Sequence, residues 1–386
     1  MLWLGIAAWV IALFWAAMIV VALRMLPTVP DVLDAKYAAP IADPPLISVV
    51  VPARDEGVGI EAALRSLLAI EGVRLEIIAV DDRSTDATGA IMDRLATEAS
   101  NLTVAHVTEL PGGWLGKPHA MAVGAARASG DWLLFTDGDV LFAKDSLLRA
   151  MNFAALERAD HAIVFPTLIL EGFGERMMLG FFHANSALFS RFWRIPRERT
   201  KEAVGVGAFN LVRAEVYRQI GGFEALRMEV LEDLRLGVEV KRHGFRQRVA
   251  FGRDLVRIRW VVGASGVIRN ITKNVFAAFR FRVWLTLAAC AVVAVFCLGP
   301  FAALAGPWWM RASGLLVLLL LFLLYRYYRR YTGISACYVV TFPVAACLSL
   351  YAILRSMALT LARGGVVWRG TLYPLAELRK NAGPLR

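Results

Sequence analysis

Charge is scarce in this chain, and the scarcity is uneven. Asp, Glu, Lys and Arg make up only 19% of the 386 residues, while 58% are hydrophobic. A soluble domain carries about a quarter charged residues. No charged residue at all precedes Arg24. A cleaved secretory leader wants a basic start and a small-residue cleavage site, so this absence argues against one and predicts an uncleaved anchor long enough to cross a bilayer. Cysteine is nearly missing too. The four present (Cys290, Cys297, Cys337 and Cys347) all lie in the apolar C-terminal third, with no C-x-x-C spacing. They read as small buried apolar residues rather than metal ligands or disulfide partners. The net charge of +11 comes with no nucleic-acid recognition motif. Arg and Lys flank the apolar segments instead, where they would face anionic headgroups. A bilayer is the expected partner, and nucleic acid is not.

What charge there is sets an orientation. The first positive residues after the apolar start are Arg24 and Lys36, which predicts an outside N-terminus and a cytosolic central domain, as in a bacterial inner-membrane protein. Residues 25–45 carry five prolines (Pro27, Pro30, Pro40, Pro44 and Pro45) and read as an extended tether with few internal contacts. Past Arg282 come three uncharged runs, 283–310, 312–325 and 331–354, giving about two to four C-terminal crossings. Gly299-Pro300 and Gly306-Pro307 should end the first helix. Pro343 in the middle of the third leaves a re-entrant or interfacial course open there. The basic tail (Arg363, Arg369, Arg379, Lys380 and Arg386) sits badly with three simple crossings. The expected layout is an anchor at 1–24, linker at 25–45, central domain at 46–260, basic interfacial helix at 261–282, membrane segments at 283–362 and tail at 363–386.

The central stretch has soluble composition. Apolar β-type runs occur at 47–51, closed by Pro52; at 75–80, ending in Asp81-Asp82; at 132–136, ending in Asp137-Gly138-Asp139; and at 162–166. Helical patterns lie between or after them at 59–70, 87–99, 118–128 and 144–157, with Ser84, Thr85 or Asp86 as candidate cap of the second. Such alternation predicts an α/β fold with a mostly parallel sheet, whose ligands bind beyond the carboxyl ends of the strands.

The acids stand at those ends. Asp137 and Asp139, two residues apart around a glycine, can converge on one hard cation such as Mg²⁺ or Mn²⁺, or can be a solvated turn. Asp81 and Asp82 repel each other unless something cationic or donating binds them; the alternative is a turn leading into a capped helix. Glu232-Asp233 opens an amphipathic helical pattern, where acids are also favoured by the helix dipole. Met177, Met178, Phe181, Phe182, Phe189, Phe192 and Trp193 crowd between Arg176 and Arg194, as in a core helix or one resting among headgroups.

Four motifs in order carry a resemblance: Val51-Pro52-Ala53-Arg54-Asp55-Glu56, Val80-Asp81-Asp82-Arg83-Ser84-Thr85-Asp86, Asp137-Gly138-Asp139 and Glu232-Asp233. Together they resemble family 2 glycosyltransferases of GT-A fold, over about 47–273. Trp114-Leu115-Gly116-Lys117-Pro118-His119-Ala120 with Gly124 resembles that family's G-K-x-x-A stretch. Residues 205–213 followed by Gly221-Gly222-Phe223 resemble its acceptor-side strand and turn, and Trp368-Arg369-Gly370-Thr371 with Tyr373 its membrane-bound tail motif. The hopanoid-associated, carotenoid and ceramide glycosyltransferase-like groups are the most similar in outline.

The resemblance implies an inverting enzyme that moves one sugar from a nucleotide-sugar donor, expected to be UDP-linked, to a membrane lipid. Pro52, Arg54, Glu56, Asp81, Asp82, Lys117 and Asp137 would line the donor side. Asp137 and Asp139 would hold Mg²⁺ or Mn²⁺. Asp233 would be the general base with Glu232 beside it, and His119, Gly207, Arg259 and Trp260 would face the acceptor. Asp55-Glu56-Gly57 departs from the family's usual Asn-Glu-Glu, and His119 stands where Trp is common. Arg259-Trp260 lacks the upstream Gln of processive synthases, which argues for single-sugar transfer. A polyprenyl-phosphate sugar transferase and a non-catalytic membrane scaffold of the same fold are the rival readings.

Overall fold

A computed structural model describes residues 2–368 and 370–381. Arg369 and Arg386 of the expected tail lie outside the described residues. The chain divides into two compact units: Val29–Ile169 with Arg194–Arg259, and the remaining described residues.

The first unit is built on strands β1 (Leu46–Ala53), β2 (Arg74–Asp82), β3 (Leu102–Val107), β4 (Trp132–Phe135), β5 (Val140–Phe142), β6 (His161–Phe165), β7 (Thr167–Leu168), β8 (Asn210–Arg213), β9 (Gln247–Phe251) and β10 (Val256–Ile258). Seven of them form one sheet in the order β3-β2-β1-β4-β8-β6-β9, and a smaller sheet runs β5-β10-β7. Pairing is parallel from β3 to β4 and again between β6 and β9; only β8 runs antiparallel to its neighbours. The fold is therefore α/β with a mostly parallel sheet. Side chains alternate along each strand. Ile47, Val49 and Val51 of β1 enter one core cluster with Ile77 and Ala79 of β2, while Val50, Ile78 and Val80 enter another with Leu133 and Phe135 of β4. Both faces are thus covered, which explains why these central strands read as unbroken apolar runs. Helices Ile60–Leu68, Thr88–Glu98, Gly116–Ala125 and Ser146–Leu156 stand in the four stretches with helical patterns.

The proline-rich stretch is not a free tether. Val32 and Tyr37 are buried in the same core as β1. Tyr37 stacks edge-on against Phe153 at 5.6 Å and its hydroxyl donates to Glu157 Oε1 at 3.1 Å. Val32 N–H donates to the Phe251 carbonyl (3.0 Å), and Phe251 N–H donates back to the Pro30 carbonyl (2.8 Å). Proline removes donors but leaves carbonyls, and two apolar anchors suffice to lay the segment down.

The second unit is helical. Four of its helical stretches, Leu2–Thr28, Val283–Ala303, Trp308–Thr332 and Ala336–Arg363, are long and apolar enough to cross a membrane. Three of these are C-terminal. The first C-terminal stretch passes Gly299-Pro300, because a π-turn at Ala294–Leu298 precedes it and Pro300 falls in the first turn of Gly299–Ala303, where its missing N–H breaks no bond. The indole N–H of Trp15 donates to the Phe296 carbonyl within that π-turn at 2.8 Å. Pro343 likewise occupies the first turn of Phe342–Arg363 rather than interrupting it, so no re-entrant break occurs there. The aromatic-rich helix Phe173–Phe189 falls in this unit, not in the sheet unit. Buried Glu175 accepts from the N–H groups of Glu171, Gly172 and Gly263, which ties that helix to helix Gly263–Ala278.

In the sheet unit, His106 of β3 bridges two acids: Nδ1 lies 3.0 Å from Asp81 Oδ2 and Nε2 lies 2.9 Å from Asp93 Oδ1. Asp93 and then Asp81 hold the His106 pKa above its ordinary 6.5. A raised folded-state pKa stabilises fully below the unfolded value and fades as pH climbs through the folded one. The difference in melting temperature between the wild type and His106→Gln should therefore be larger at pH 5.5 than at pH 8.5. Thermal melts at the two pH values check this, and an equal difference at both would contradict it.

Candidate active site

The turns after β1, β2 and β4 leave neighbouring strands at the same edge. The first two lock together. Asp55 N–H donates to Ser84 Oγ (3.0 Å), and Asp55 Oδ1 accepts from Thr85 N–H (2.7 Å). Glu56 N–H donates to Thr88 Oγ1 (2.8 Å) and Gly57 N–H to Asp86 Oδ2 (2.9 Å). Asp86 also accepts from Thr88 N–H (2.9 Å) just ahead of helix Thr88–Glu98, whose N-cap position is Ala87 rather than Ser84, Thr85 or Asp86. Asp55 and Arg83 both adopt left-handed backbone, with φ of 53° and 56°. Such strain persists only where surrounding bonds over-determine it, and here they do.

Asp81 and Asp82 separate in role. Asp81 is occupied by His106 and by the Ser84 N–H (3.2 Å). Asp82 takes a two-pronged contact from Arg83, at 2.7 and 3.0 Å. It also lies so near Gly116 that a Cβ there would come within 2.7 Å of its Oδ2. Pro52 is buried in β1 opposite Val80, and Arg54 follows in the turn, its Nε 4.0 Å from Asp55 Oδ2. Arg83 was not among the residues singled out from sequence; an Arg after two acids is too common a pattern to mark.

The charged centre is Lys117, in the first turn of helix Gly116–Ala125. Its Nζ sits 2.6 Å from Asp137 Oδ1 and 2.7 Å from Glu232 Oε1. Burial works against the ammonium, but Asp137, Glu232 and Asp233 together push its pKa well above the ordinary value. Glu232, the first residue of helix Glu232–Arg242, is only 3% exposed and paired to this lysine. Asp233 beside it is half-buried; burial and the Glu232 charge raise its pKa to about 7. Asp139 is also raised to about 7, by burial and by Asp137 and Glu56. Acids outnumber cations here.

Among the described residues, no three His, Cys, Asp or Glu side chains converge as a metal cage. Asp137 and Asp139 do offer two hard oxygen ligands, and the raised Asp139 marks negative charge that a cation would relieve. Mg²⁺ and Mn²⁺ are usually held by one or two carboxylates and share the rest of their coordination with phosphate and water. The residues fit such an ion.

An irregular segment, 204–207, backs this centre. A Cβ on Gly205 would lie 1.7 Å from the Asp233 carbonyl oxygen, and one on Gly207 would lie 2.6 Å from Asp137 Oδ2 and 3.2 Å from Lys117 Nζ. The segment is clamped from behind. Gln247 donates to the Val204 carbonyl (2.7 Å) and accepts its N–H (3.0 Å), and Asn210 donates to the Val206 carbonyl (2.8 Å). His161, fully buried and pushed down to about 4 by that burial, joins Asn210 and Gln247 at 3.1 and 2.9 Å. Sequence reasoning missed all three, since a single polar residue in a short strand carries no periodic signal. Of the acceptor-side candidates, Gly207 joins the centre. His119 lies edge-on to Trp114 at 5.3 Å, its pKa lowered by burial. Arg259 follows β10, and Trp260 belongs to the helical unit, where it packs on Phe182 at 5.6 Å.

Residues 48–221 match the family described as Glycosyl transferase family 2. The chain is 33% identical over 105 residues to 4,4'-diaponeurosporenoate glycosyltransferase of Staphylococcus haemolyticus, covering 27% of each chain. It is 29% identical over 264 residues to the probable glycosyltransferase YdaM of Bacillus subtilis, covering 64% of this chain and 62% of that one. It thus spans less than two thirds of the length of either relative. Among solved structures, the mannosyltransferase PcManGT of Pyrobaculum calidifontis, in complex with GDP-Man and Mn²⁺, superposes with a TM-score of 0.55 at 20% identity, over 89% of this chain and 99% of that one. At that identity the likeness shows the fold.

The close approach of the 204–207 segment gives a direct test. Gly205→Ala must displace either the segment or the start of helix Glu232–Arg242, at a cost of about 1–3 kcal/mol, as overpacking typically brings. Gly112→Ala, with nothing within 4 Å, should be silent. Thermal melts of both variants would show a lowered midpoint for the first alone.

Proposed function

We propose that the chain, whose residues 48–221 match Glycosyl transferase family 2, is an inverting transferase moving one sugar from a nucleoside-diphosphate sugar to a membrane lipid hydroxyl. One observation carries the reading: Lys117 held between Asp137 and Glu232, which leaves Asp233 as the accessible acid.

Glu56 and Asp82 stand at the nucleoside side of this site. Asp137 and Asp139 would hold a divalent cation, which when bound neutralises charge on the departing diphosphate. Lys117, fixed by its two acids, adds positive charge at the same place without having to reorganise. Asp233 accepts the proton of the acceptor hydroxyl; with its pKa raised to about 7, it is matched to that task near neutral pH. The hydroxyl oxygen bonds to the anomeric carbon as the bond to the diphosphate oxygen breaks on the opposite face, so configuration inverts.

Two observations favour a lipid acceptor. The transferase domain lies between apolar stretches long enough to cross a membrane at both ends of the sequence. The Staphylococcus haemolyticus relative is named a 4,4'-diaponeurosporenoate glycosyltransferase. A cytosolic site at the bacterial inner membrane fits a donor made in the cytosol.

The decisive experiment incubates the solubilised full chain with labelled UDP- and GDP-sugars and a membrane lipid extract, then identifies the product by mass spectrometry. A metal-dependent glycolipid product is expected; a sugar-phosphate polyprenol would support the rival acceptor, and no donor turnover at all would support a scaffold. Asp233→Asn should bind donor normally and transfer about 10²–10⁴-fold more slowly. Transfer at the wild-type rate would remove Asp233 from the mechanism.

A further inference from the structure

A basic tail sits badly with three C-terminal crossings, and the packing of the helical unit shows where the chain turns back. Two contacts fix one end of the bundle. Gly5 lies against the Trp309 ring, and the Trp9 indole N–H donates to the Trp309 carbonyl at 3.1 Å. The starts of Leu2–Thr28 and Trp308–Thr332 therefore share that end. At about 1.5 Å per residue, Thr332 lies at the other. Val283–Ala303 runs against the first helix: Gly299 faces Ile11, and further along Trp15 bonds to the Phe296 carbonyl. Its start, Val283, is thus at the Thr332 end too.

The fourth apolar stretch, Ala336–Arg363, begins its α-helix at Phe342. That ring meets Trp15 at 6.0 Å, Phe181 at 4.8 Å and Phe301 at 5.8 Å. Trp15 stands midway along Leu2–Met25, so the helix begins at mid-depth. Its far end lies beside the approach to Val283. Phe276 N–H donates to Ser356 Oγ at 3.1 Å and Arg355 Nη1 donates to Thr272 Oγ1 at 3.1 Å; beyond the helix, Arg379 Nη2 donates to the Phe281 carbonyl at 2.9 Å. The chain thus leaves Thr332, reverses at Gly333 (φ 68°), climbs through the tight turns of Ala336–Thr341 and returns along an unbroken helix to the end it came from. Pro343 sits at the top of this hairpin and interrupts nothing.

Charge agrees. Arg24, Arg282, Arg330 and Arg363 all stand at the Thr332 end. The opposite end, residues 2–5 and 304–307, has no charged side chain, and Arg311 follows a turn later. A full crossing would carry Arg363, Arg379 and Lys380 to that charge-poor end, against the rule that arginine and lysine gather on one side. Helix Phe342–Arg363 also has two distinct faces. Val344, Cys347, Tyr351, Leu354, Ala358 and Leu361 recur at three- and four-residue steps and are exposed. Ala345, Ser349, Ala352 and Ser356 are buried on the other side, where small side chains let helices approach closely.

We propose that Ala336–Arg363 does not cross the bilayer: it enters and leaves at the face of Arg24, Arg282 and Arg330, and its exposed stripe is covered by acyl chains of the leaflet on that side. A 22-residue helix is about 33 Å long, roughly twice the depth of one leaflet, so it lies obliquely. The proposal rests on the bilayer reading of the helical unit and is independent of the transfer reaction.

The test uses the full chain in sealed right-side-out and inside-out membrane vesicles. All four native cysteines are replaced (Cys290→Ala, Cys297→Ala, Cys337→Ser and Cys347→Ser), and single cysteines are added at three exposed positions: Ala305→Cys, Arg329→Cys and Ala362→Cys. A membrane-impermeant maleimide should label Arg329→Cys and Ala362→Cys in the same preparation, with loss of labelling in the other, where Ala305→Cys alone reacts. Labelling of Ala362→Cys together with Ala305→Cys would mean a full crossing and overturn the proposal. Labelling of Ala305→Cys together with Arg329→Cys would overturn the bilayer reading beneath it. Peptide tags on the otherwise unsubstituted chain read the same parity without any replacement. Protease should remove the N-terminal and C-terminal tags in opposite preparations; removal of both in one preparation would overturn the proposal.

Discussion

The edge of the sheet unit where the acids gather depends on one half-buried cation. Lys117 is partly desolvated, and an ammonium drawn out of water is tolerated only when its partners lie at hydrogen-bonding distance. Asp137 and Glu232 meet that condition at 2.6 and 2.7 Å. The contact joins the first turn of helix Gly116–Ala125, the turn after β4 and the first turn of helix Glu232–Arg242. Removing any one partner would strand the others in a poorly solvated place. Glu232 is committed to this pair, while the neighbouring Asp233 accepts the Leu234 N–H and has its pKa raised to about 7.

Glycine makes that centre possible. Asp82 and Arg83 press against Gly116, the Asp233 backbone against Gly205, and Asp137 and Lys117 against Gly207. At each of these places a methyl group would occupy space already taken by a charged group or a peptide. The segment 204–207 has no regular structure to hold it, and Gln247 and Asn210 satisfy its backbone groups instead. Buried polar groups left unpaired are costly, so a fully bonded clamp is also a rigid one.

The helical unit obeys the opposite rule: charge is kept out of the spans and gathered at their ends. Proline enters where it costs no hydrogen bond, at Pro300 and Pro343. Glu175, the buried acid of helix Phe173–Phe189, accepts from three backbone N–H groups.

Much of this was legible in order of residues. Absence of charge located the apolar stretches, because any span must satisfy the same rule whatever it packs against. The unbroken runs of β1, β2 and β4 announced central strands, and the acids after them announced the working edge, since both follow from local chemistry. Strand β8 was legible only through the resemblance of residues 205–213, and β9 and β10 were not legible as strands, being five and three residues long and paired with distant partners. The folding of the proline-rich stretch onto the sheet was not legible either. Nor was the clamp of His161, Asn210 and Gln247. Sequence alone determined which side chains carry charge and which stretches exclude it. Only the tertiary structure decided that Lys117 pairs with Asp137 and with Glu232 rather than with Asp233 beside it, because that choice rests on distances of a few ångströms between segments far apart in the chain.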